Sequence, residues 1–187
     1  MMPLTVQVHQ QLAPMLKSGD ICVDATAGNG HDTLFLAQSA GQVYGLDIQE
    51  LALDRTRERL QQASVSNVYL IRGSHAHMET LLPPEIHGNV ACIMFNLGYL
   101  PGGDKSLITR VGSTIAALQH SLGFLRPGGL LSIVAYPGHA GGADELNALL
   151  NFLDELPDGC SLISSLPDSP LPTSPRWFLV SRRQNCQ

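Results

Sequence analysis

Short continuous apolar runs alternate with stretches of helical apolar spacing along the whole chain. The runs at 20–24, 43–47, 67–72, 89–95, 130–136 and 160–166 read as strands, with a last one at 177–182. Between them, Leu4, Val8, Leu12, Met15 and Leu16 fall at helical intervals over 4–17, with Pro14 as an end or kink. Further helices are predicted over 32–39, over 50–63, along Leu107, Val111, Ile115, Leu118 and Leu122, and over 143–156. Turn residues punctuate these elements: Gly41, Pro83-Pro84, His87-Gly88, Arg126-Pro127-Gly128-Gly129, the loop 137–142, Pro157-Asp158-Gly159 and the Pro- and Ser-rich loop 167–175. Strand–helix alternation implies an α/β fold, with a mostly parallel sheet covered by helices on both faces. Residues 90–95 are apolar throughout, as a central strand buried on both faces requires. The last strand is expected to pair antiparallel with 160–166, in a hairpin-like arrangement. One domain is expected over 1–187, with no internal repeat.

Chemistry gathers where the predicted strands end. The first run ends in Asp24 and passes through Ala25-Thr26-Ala27-Gly28-Asn29-Gly30 into a helix start. That is the opening unit of a nucleotide-binding fold. Gly28 and Gly30 permit positive φ and let a ligand approach the backbone closely. The second run ends in Asp47, where a carboxylate can accept from both hydroxyls of an adenosine ribose.

Composition narrows the function classes. Of 187 residues, 44% are hydrophobic and 14% charged, so the chain is globular rather than disordered. No apolar run reaches the roughly 20 residues of a membrane helix. The first residues lack a basic-then-apolar leader pattern, so a cytoplasmic location is expected. A net charge of −5 argues against sliding along long nucleic acids, though a small RNA footprint on a local basic patch stays open. The four cysteines are scattered with no CxxC pair, and His75 and His77 lack a third ligand nearby, so no metal is expected.

The strand-end motifs together resemble class I methyltransferases that use S-adenosylmethionine. The segments 24–33, Asp47-Ile48-Gln49, Gly73-Ser74-His75, 96–105 and Tyr136-Pro137-Gly138-His139 resemble one compact family more closely. That family is labelled "putative rRNA methylases" and includes the bacterial methyltransferase of the tRNA 5-(aminomethyl)-2-thiouridine wobble base. The resemblance implies a Rossmann-like, three-layer αβα fold with a seven-stranded sheet and an antiparallel last strand. It implies S-adenosylmethionine as cofactor.

Each site residue carries two readings. Asp24 either meets the methionine amine or braces the loop. Gly28, Asn29 and Gly30 form the cofactor turn, Asn29 being equally a turn residue. His31 and Asp32 face the cofactor or, for Asp32, complement the helix dipole. Asp47 and Gln49 serve the ribose side, Gln49 being also a plain helix-start residue. Ser74 and His75 lie where an adenine edge sits, and Ser74 can equally cap the following helix.

Asn96 and Tyr99 keep the outer spacing of the Asn-Pro-Pro-aromatic motif of amino-group methyltransferases, with Leu97-Gly98 in the middle. Asn96 can accept an amine proton and aim its lone pair, and Tyr99 can stack on a pyrimidine. Asp104, His139 and Tyr136 are candidates for handling the amine's proton. Tyr99, Pro101, Lys105 and Tyr136 form the expected substrate wall. Arg110, Arg176, Arg182 and Arg183 join Lys105 as possible RNA contacts. Arg55, Arg57 and Arg59 read as a solvated helix face, and His9 as part of a lid or a surface histidine.

The resulting expectation is an S-adenosylmethionine-dependent RNA N-methyltransferase. It would act on the 5-aminomethyl group of the tRNA wobble uridine in the anticodon region, with a homodimer as the default assembly. The alternatives are the same chemistry on rRNA or a small molecule, an NAD-dependent oxidoreductase, and a non-catalytic RNA-binding module. Against the oxidoreductase, no third glycine follows Gly30 at the dinucleotide spacing.

Overall fold

The computed structural model describes residues 2–98, 100, 102, 109–167 and 171–184. Helix α1 (Leu4–Leu12) ends in a 3-10 turn at Ala13–Met15, where Pro14 lacks the amide a helix would need. Then follow β1 (Ile21–Asp24), α2 (His31–Ser39), β2 (Gln42–Asp47), α3 (Glu50–Gln62) and β3 (Val68–Arg72). A 3-10 turn at His75–His77 leads into the short α4 (Met78–Leu81). The second half comprises β4 (Val90–Leu97), α5 (Val111–Phe124), β5 (Leu125–Ala135), α6 (Gly142–Asp154), β6 (Cys160–Leu166) and β7 (Arg176–Arg182).

The seven strands form one sheet in the order β3-β2-β1-β4-β5-β7-β6. The pairs among β1 to β5 are parallel, and β7 runs antiparallel to both neighbours. Side chains alternate across the sheet with period two. Val23, Ile93, Phe95, Leu131 and Ile133 pack with Leu118 of α5 and Leu149 of α6 on one face. Cys22, Cys92, Met94 and Val134 pack with Val8 and Leu12 of α1, Leu36 of α2 and Leu60 of α3 on the other. The three-layer α/β/α expectation is met. Among the described residues no helix is long and apolar enough to cross a membrane.

Beyond small shifts at most element ends, four features differ from the sequence reading. Strand β4 runs on to Leu97, because Asn96 and Leu97 pair with Val134 and Ala135 of β5. Arg126-Pro127-Gly128-Gly129 falls within β5, with an irregular register against β4, rather than forming a separate turn. Helix α5 begins at Val111, and Leu107 lies outside the described residues. Strand β7 is inserted between β5 and β6, so it pairs with β5 as well as with β6.

Strands β1 and β4 are adjacent at the centre of the sheet. The chain leaves β1 toward α2 on one face and leaves β4 toward α5 on the other. A crevice opens at the carboxyl ends of neighbouring strands whose connections diverge in this way, where open α/β sheets bind ligands.

Candidate active site

The crevice is a cavity of about 900 Å³ above the ends of β1, β2, β4 and β5, with Val6 and His9 of α1 among its lining residues. That volume suits a ligand of nucleoside-plus-tail size.

Its floor is the loop from β1 to α2. Gly28 has φ +55° and lines the cavity; Gly30 has φ +78° and caps α2. Gly30 is not among the cavity's lining residues, although its neighbours Asn29 and His31 are. A Cβ there would stand 2.9 Å from Thr56 Cα, so its role is to let α2 and α3 close together. Asp24 is likewise turned away from the cavity. It is fully buried, and its carboxylate accepts the Thr26 amide at 3.1 Å and the Thr33 hydroxyl at 2.6 Å. Burial, reinforced by the nearby Asp32 charge, pushes its carboxyl up to about 7. These contacts are the ones the bracing reading expects.

Asp47 stands on the cavity wall at the end of β2. Its Oδ2 accepts the Gly28 amide at 2.9 Å and its Oδ1 the Gln49 amide at 2.8 Å. Burial raises its carboxyl, and these backbone bonds act in the opposite direction. An acceptor-only group held this way suits a diol. Gln49 and Ser74 also line the cavity, and the Ser74 hydroxyl accepts from the Ala76 amide at 3.2 Å, so it caps the turn as well. His75 is buried against the Phe95 ring edge, its Nε2 enclosed without a hydrogen-bond partner, and burial lowers its basicity.

Sequence reasoning missed the part played by α3. Arg55 donates to Asn29 Oδ1 at 3.1 Å and to the Gly102 carbonyl at 3.0 Å. Arg59 donates to the Asn29 carbonyl at 2.7 Å, and its guanidinium lies 3.2 Å from His31 Nε2. Burial and Arg59 both lower the basicity of His31. Arg55 and Arg59 are four residues apart and share a face; Arg57 points elsewhere and pairs with Asp54. The spacing was visible in the sequence, but the loop beneath it was not.

At the other end of the cavity stands Asn96, in the last turn of pairing of β4. Its amide donates to Thr26 Oγ1 at 2.7 Å, and its Nδ2 donates to Asp32 Oδ2 at 2.9 Å. Asp32 Oδ1 lies 2.6 Å from His9 Nε2. Asp32 therefore faces Asn96 and His9 rather than merely the helix dipole. Gly98 and Thr109 close the base of the intervening loop. The Thr109 amide donates to the Gly98 carbonyl at 2.9 Å, and the Gly98 amide donates to Thr109 Oγ1 at 2.9 Å. Buried Glu145 of α6 accepts from the Thr109 and Thr114 hydroxyls at 2.8 and 2.6 Å. This brace carried no motif in the sequence.

Tyr136 and His139 line the same end of the cavity. Burial pushes the Tyr136 phenol up to about 12. Tyr99, Pro101, Asp104 and Lys105 lie outside the described residues. Arg110 and Arg183 are exposed. Arg182 turns inward, donating to the Leu125 carbonyl at 2.5 Å, so it is withdrawn as an RNA contact. Among the described residues no three His, Cys, Asp or Glu side chains are grouped to hold a metal ion.

A family model described as "Putative rRNA methylase" matches residues 43–166. A chloroplastic tRNA (mnm(5)s(2)U34)-methyltransferase of Arabidopsis thaliana is 35% identical over 193 residues, covering 97% of this chain and 70% of that protein. The structure of a putative methyltransferase from Streptococcus mutans in complex with SAH superposes with a TM-score of 0.84. It is 33% identical, over 97% of this chain and 99% of that one. A putative rRNA-methylase from Clostridium thermocellum gives 0.87 at 33% identity, over 97% and 98% of the two chains. Ribosomal RNA small subunit methyltransferase H of Deinococcus deserti is 33% identical over 95 residues, 51% of this chain and 30% of that protein.

Proposed function

The chain belongs to the "Putative rRNA methylase" family, and from that premise we propose that it methylates the primary amine of a 5-aminomethyluridine, with or without a 2-thio group, at the tRNA wobble position. It is an S-adenosylmethionine-dependent methyltransferase, and the product would be the methylaminomethyl nucleoside. The observation that carries the substrate reading is Asn96. Its amide nitrogen is taken by Asp32, which leaves the carbonyl edge for a donor such as an amine N–H.

S-adenosylmethionine, when bound, supplies a methyl on a sulfonium whose bond electrons stay on sulfur as the new N–C bond forms. The residues present fit that group. Gly28 gives a wall without a Cβ, Asp47 an acceptor for the ribose hydroxyls, and the cavity has the required size. Gln49 and Ser74 flank the nucleoside side. His75 offers an enclosed ring nitrogen to an adenine edge or a water. Asn29 and His31, both on the wall, complete the turn that holds the tail.

Asn96 Oδ1 accepts one amine proton and points the lone pair, which is catalysis by positioning. An alkyl ammonium must first shed a proton. Tyr136 keeps its own proton up to about 12 and serves as a donor or wall. His139 takes the amine proton in this reading, with Asp104 as the second candidate. Tyr99 stacks on the uracil ring, Pro101 extends that wall, and Lys105, with Arg110, Arg176 and Arg183, meets the anticodon phosphates. The reading carries a cytoplasmic location and a two-fold dimer that widens the RNA footing of a 187-residue chain.

The test is methylation of tRNA bearing 5-aminomethyl(-2-thio)uridine by the purified protein, alongside nucleoside mass spectrometry of bulk tRNA from a deletion strain. Methylaminomethyl product in vitro and accumulation of the precursor in vivo are expected. Neither occurring, or methylation of rRNA instead, would sink the substrate assignment. Calorimetry showing binding of NAD but not of S-adenosylmethionine would remove the enzyme class itself.

A further inference from the structure

Three elements converge on one carboxylate. Asp32, at the start of α2, is 6% exposed. Its Oδ2 accepts from Asn96 Nδ2 of β4 at 2.9 Å, and its Oδ1 lies 2.6 Å from His9 Nε2 of α1. The His9 ring stacks face to face on Phe35, centroids 4.1 Å apart with 6° between the planes. The stack and the short contact together hold the imidazole in one place. None of the residues needed for cofactor binding explains this chain of contacts.

An asparagine amide has a donor end and an acceptor end of nearly the same shape. Turned one way, Asn96 would offer N–H groups to an incoming amine, and the amine's own hydrogens would meet no acceptor. An ionised carboxylate accepts only. Beside Asp32, the amide must give its nitrogen to the carboxylate and keep its oxygen for the ligand. As the amine becomes a secondary ammonium, positive charge grows on its nitrogen. The Asp32 charge one side chain behind Asn96 favours that change.

We infer that Asp32 is a positioning residue that sets the Asn96 amide with its carbonyl toward the acceptor amine. His9 ties the roof helix α1 to the same carboxylate, so aiming of the amine depends on that helix being seated. This rests on Asn96 being the amine's acceptor group. Asp32 and His9 both line the cavity, so this role stands beside the sequence expectations of a cofactor contact at Asp32 and a lid or surface place for His9.

The experiment compares Asp32→Asn, Asn96→Ala, the double variant, His9→Phe and His9→Gln. The readouts are kcat and KM on aminomethyluridine tRNA, SAH affinity by calorimetry, and thermal melting. Asp32→Asn is expected to lower kcat by about 100-fold, with KM and SAH affinity held within about 2-fold. In the Asn96→Ala background it should cost nothing further, because Asp32 acts through Asn96. His9→Phe keeps a ring on Phe35 but loses the contact to Asp32, and kcat should fall by about 10-fold. His9→Gln restores a donor and should recover part of that loss.

Wild-type kcat in Asp32→Asn overturns the inference. So does a loss of SAH affinity matching the loss of kcat, or additive losses in the double variant. If Asp32→Asn fails to fold, the His9 pair decides alone: equal kcat in His9→Phe and wild type overturns the proposal. Full activity in Asn96→Ala would instead remove the underlying acceptor role, an outcome distinct from any failure at Asp32.

Discussion

The Gly28 amide donates to Asp47 Oδ2 at 2.9 Å across nineteen positions of sequence, tying the first loop to the end of the second strand. With the Gln49 amide on Oδ1, the carboxylate is fixed in plane while lone pairs stay available. Asp47→Asn would place an NH2 against one of these two amide donors. Hydrogen bonds to a charged group are worth about 1.5–3 kcal/mol, so SAH affinity should fall by about 10- to 100-fold. Calorimetry showing wild-type affinity would take Asp47 out of the cofactor site.

Gly28 and Gly30 should separate when each is changed to Ala. At Gly30 a Cβ meets Thr56 Cα at 2.9 Å with φ at +78°, and a left-handed non-glycine residue alone costs about 1–3 kcal/mol. Gly30→Ala should lower the melting temperature clearly. Gly28, at φ +55°, shares that backbone cost, but nothing stands closer than 3.6 Å to its added carbon, and the residue lines the cavity. Gly28→Ala should therefore lose SAH affinity out of proportion to its stability. The reverse pattern would reverse the two roles.

Removing Arg55 or Arg59 by Ala should weaken SAH binding by about 10-fold, since charge-assisted bonds hold the Asn29 turn. Arg55→Lys should not restore it, because one ammonium does not reproduce a fork reaching both Asn29 and Gly102. Arg57→Ala, which breaks only an exposed pair with Asp54, is the control and should bind as wild type. Loss of affinity in Arg57→Ala equal to that in Arg55→Ala would refute the assignment.

Asp24 should leave a mark on stability against pH. Burial raises its carboxyl from 3.8 to about 7, so between those values the native state holds a proton that the unfolded chain has released. Its contribution is present in full below pH 3.8 and is lost as pH rises through about 7. Denaturant unfolding at pH 5 and pH 8 should show a larger fall for wild type than for Asp24→Asn. Parallel falls would mean that Asp24 titrates normally.

Several features were legible because they depend on local pattern. The unbroken apolar run of β4 marks a strand covered on both faces, and both core clusters draw residues from it. The acids at the ends of β1 and β2 were readable as strand-end groups. Which of them faces the ligand was not. Asp24 is claimed by Thr33, a residue nine positions on, while Asp47 is left on the cavity wall. Arg55 and Arg59 showed their shared helical face, but the residue beneath that face, Asn29, lies 26 positions from the one and 30 from the other. His9 shows no motif at all, since its partner lies 23 positions along on another helix.

By itself, the sequence determined the α/β class, because period, glycine turns and strand-end residues are local properties, and its resemblance to class I methyltransferases pointed to the cofactor. Only tertiary structure decided the place of β7 between β5 and β6, the inward turn of Asp24 and Arg182, and the convergence of His9, Asp32 and Asn96. Those outcomes depend on which elements become neighbours and on which buried polar group reaches a partner first. A carboxylate out of water takes whatever donors the packing brings to it, and one-dimensional spacing does not record what that packing brings.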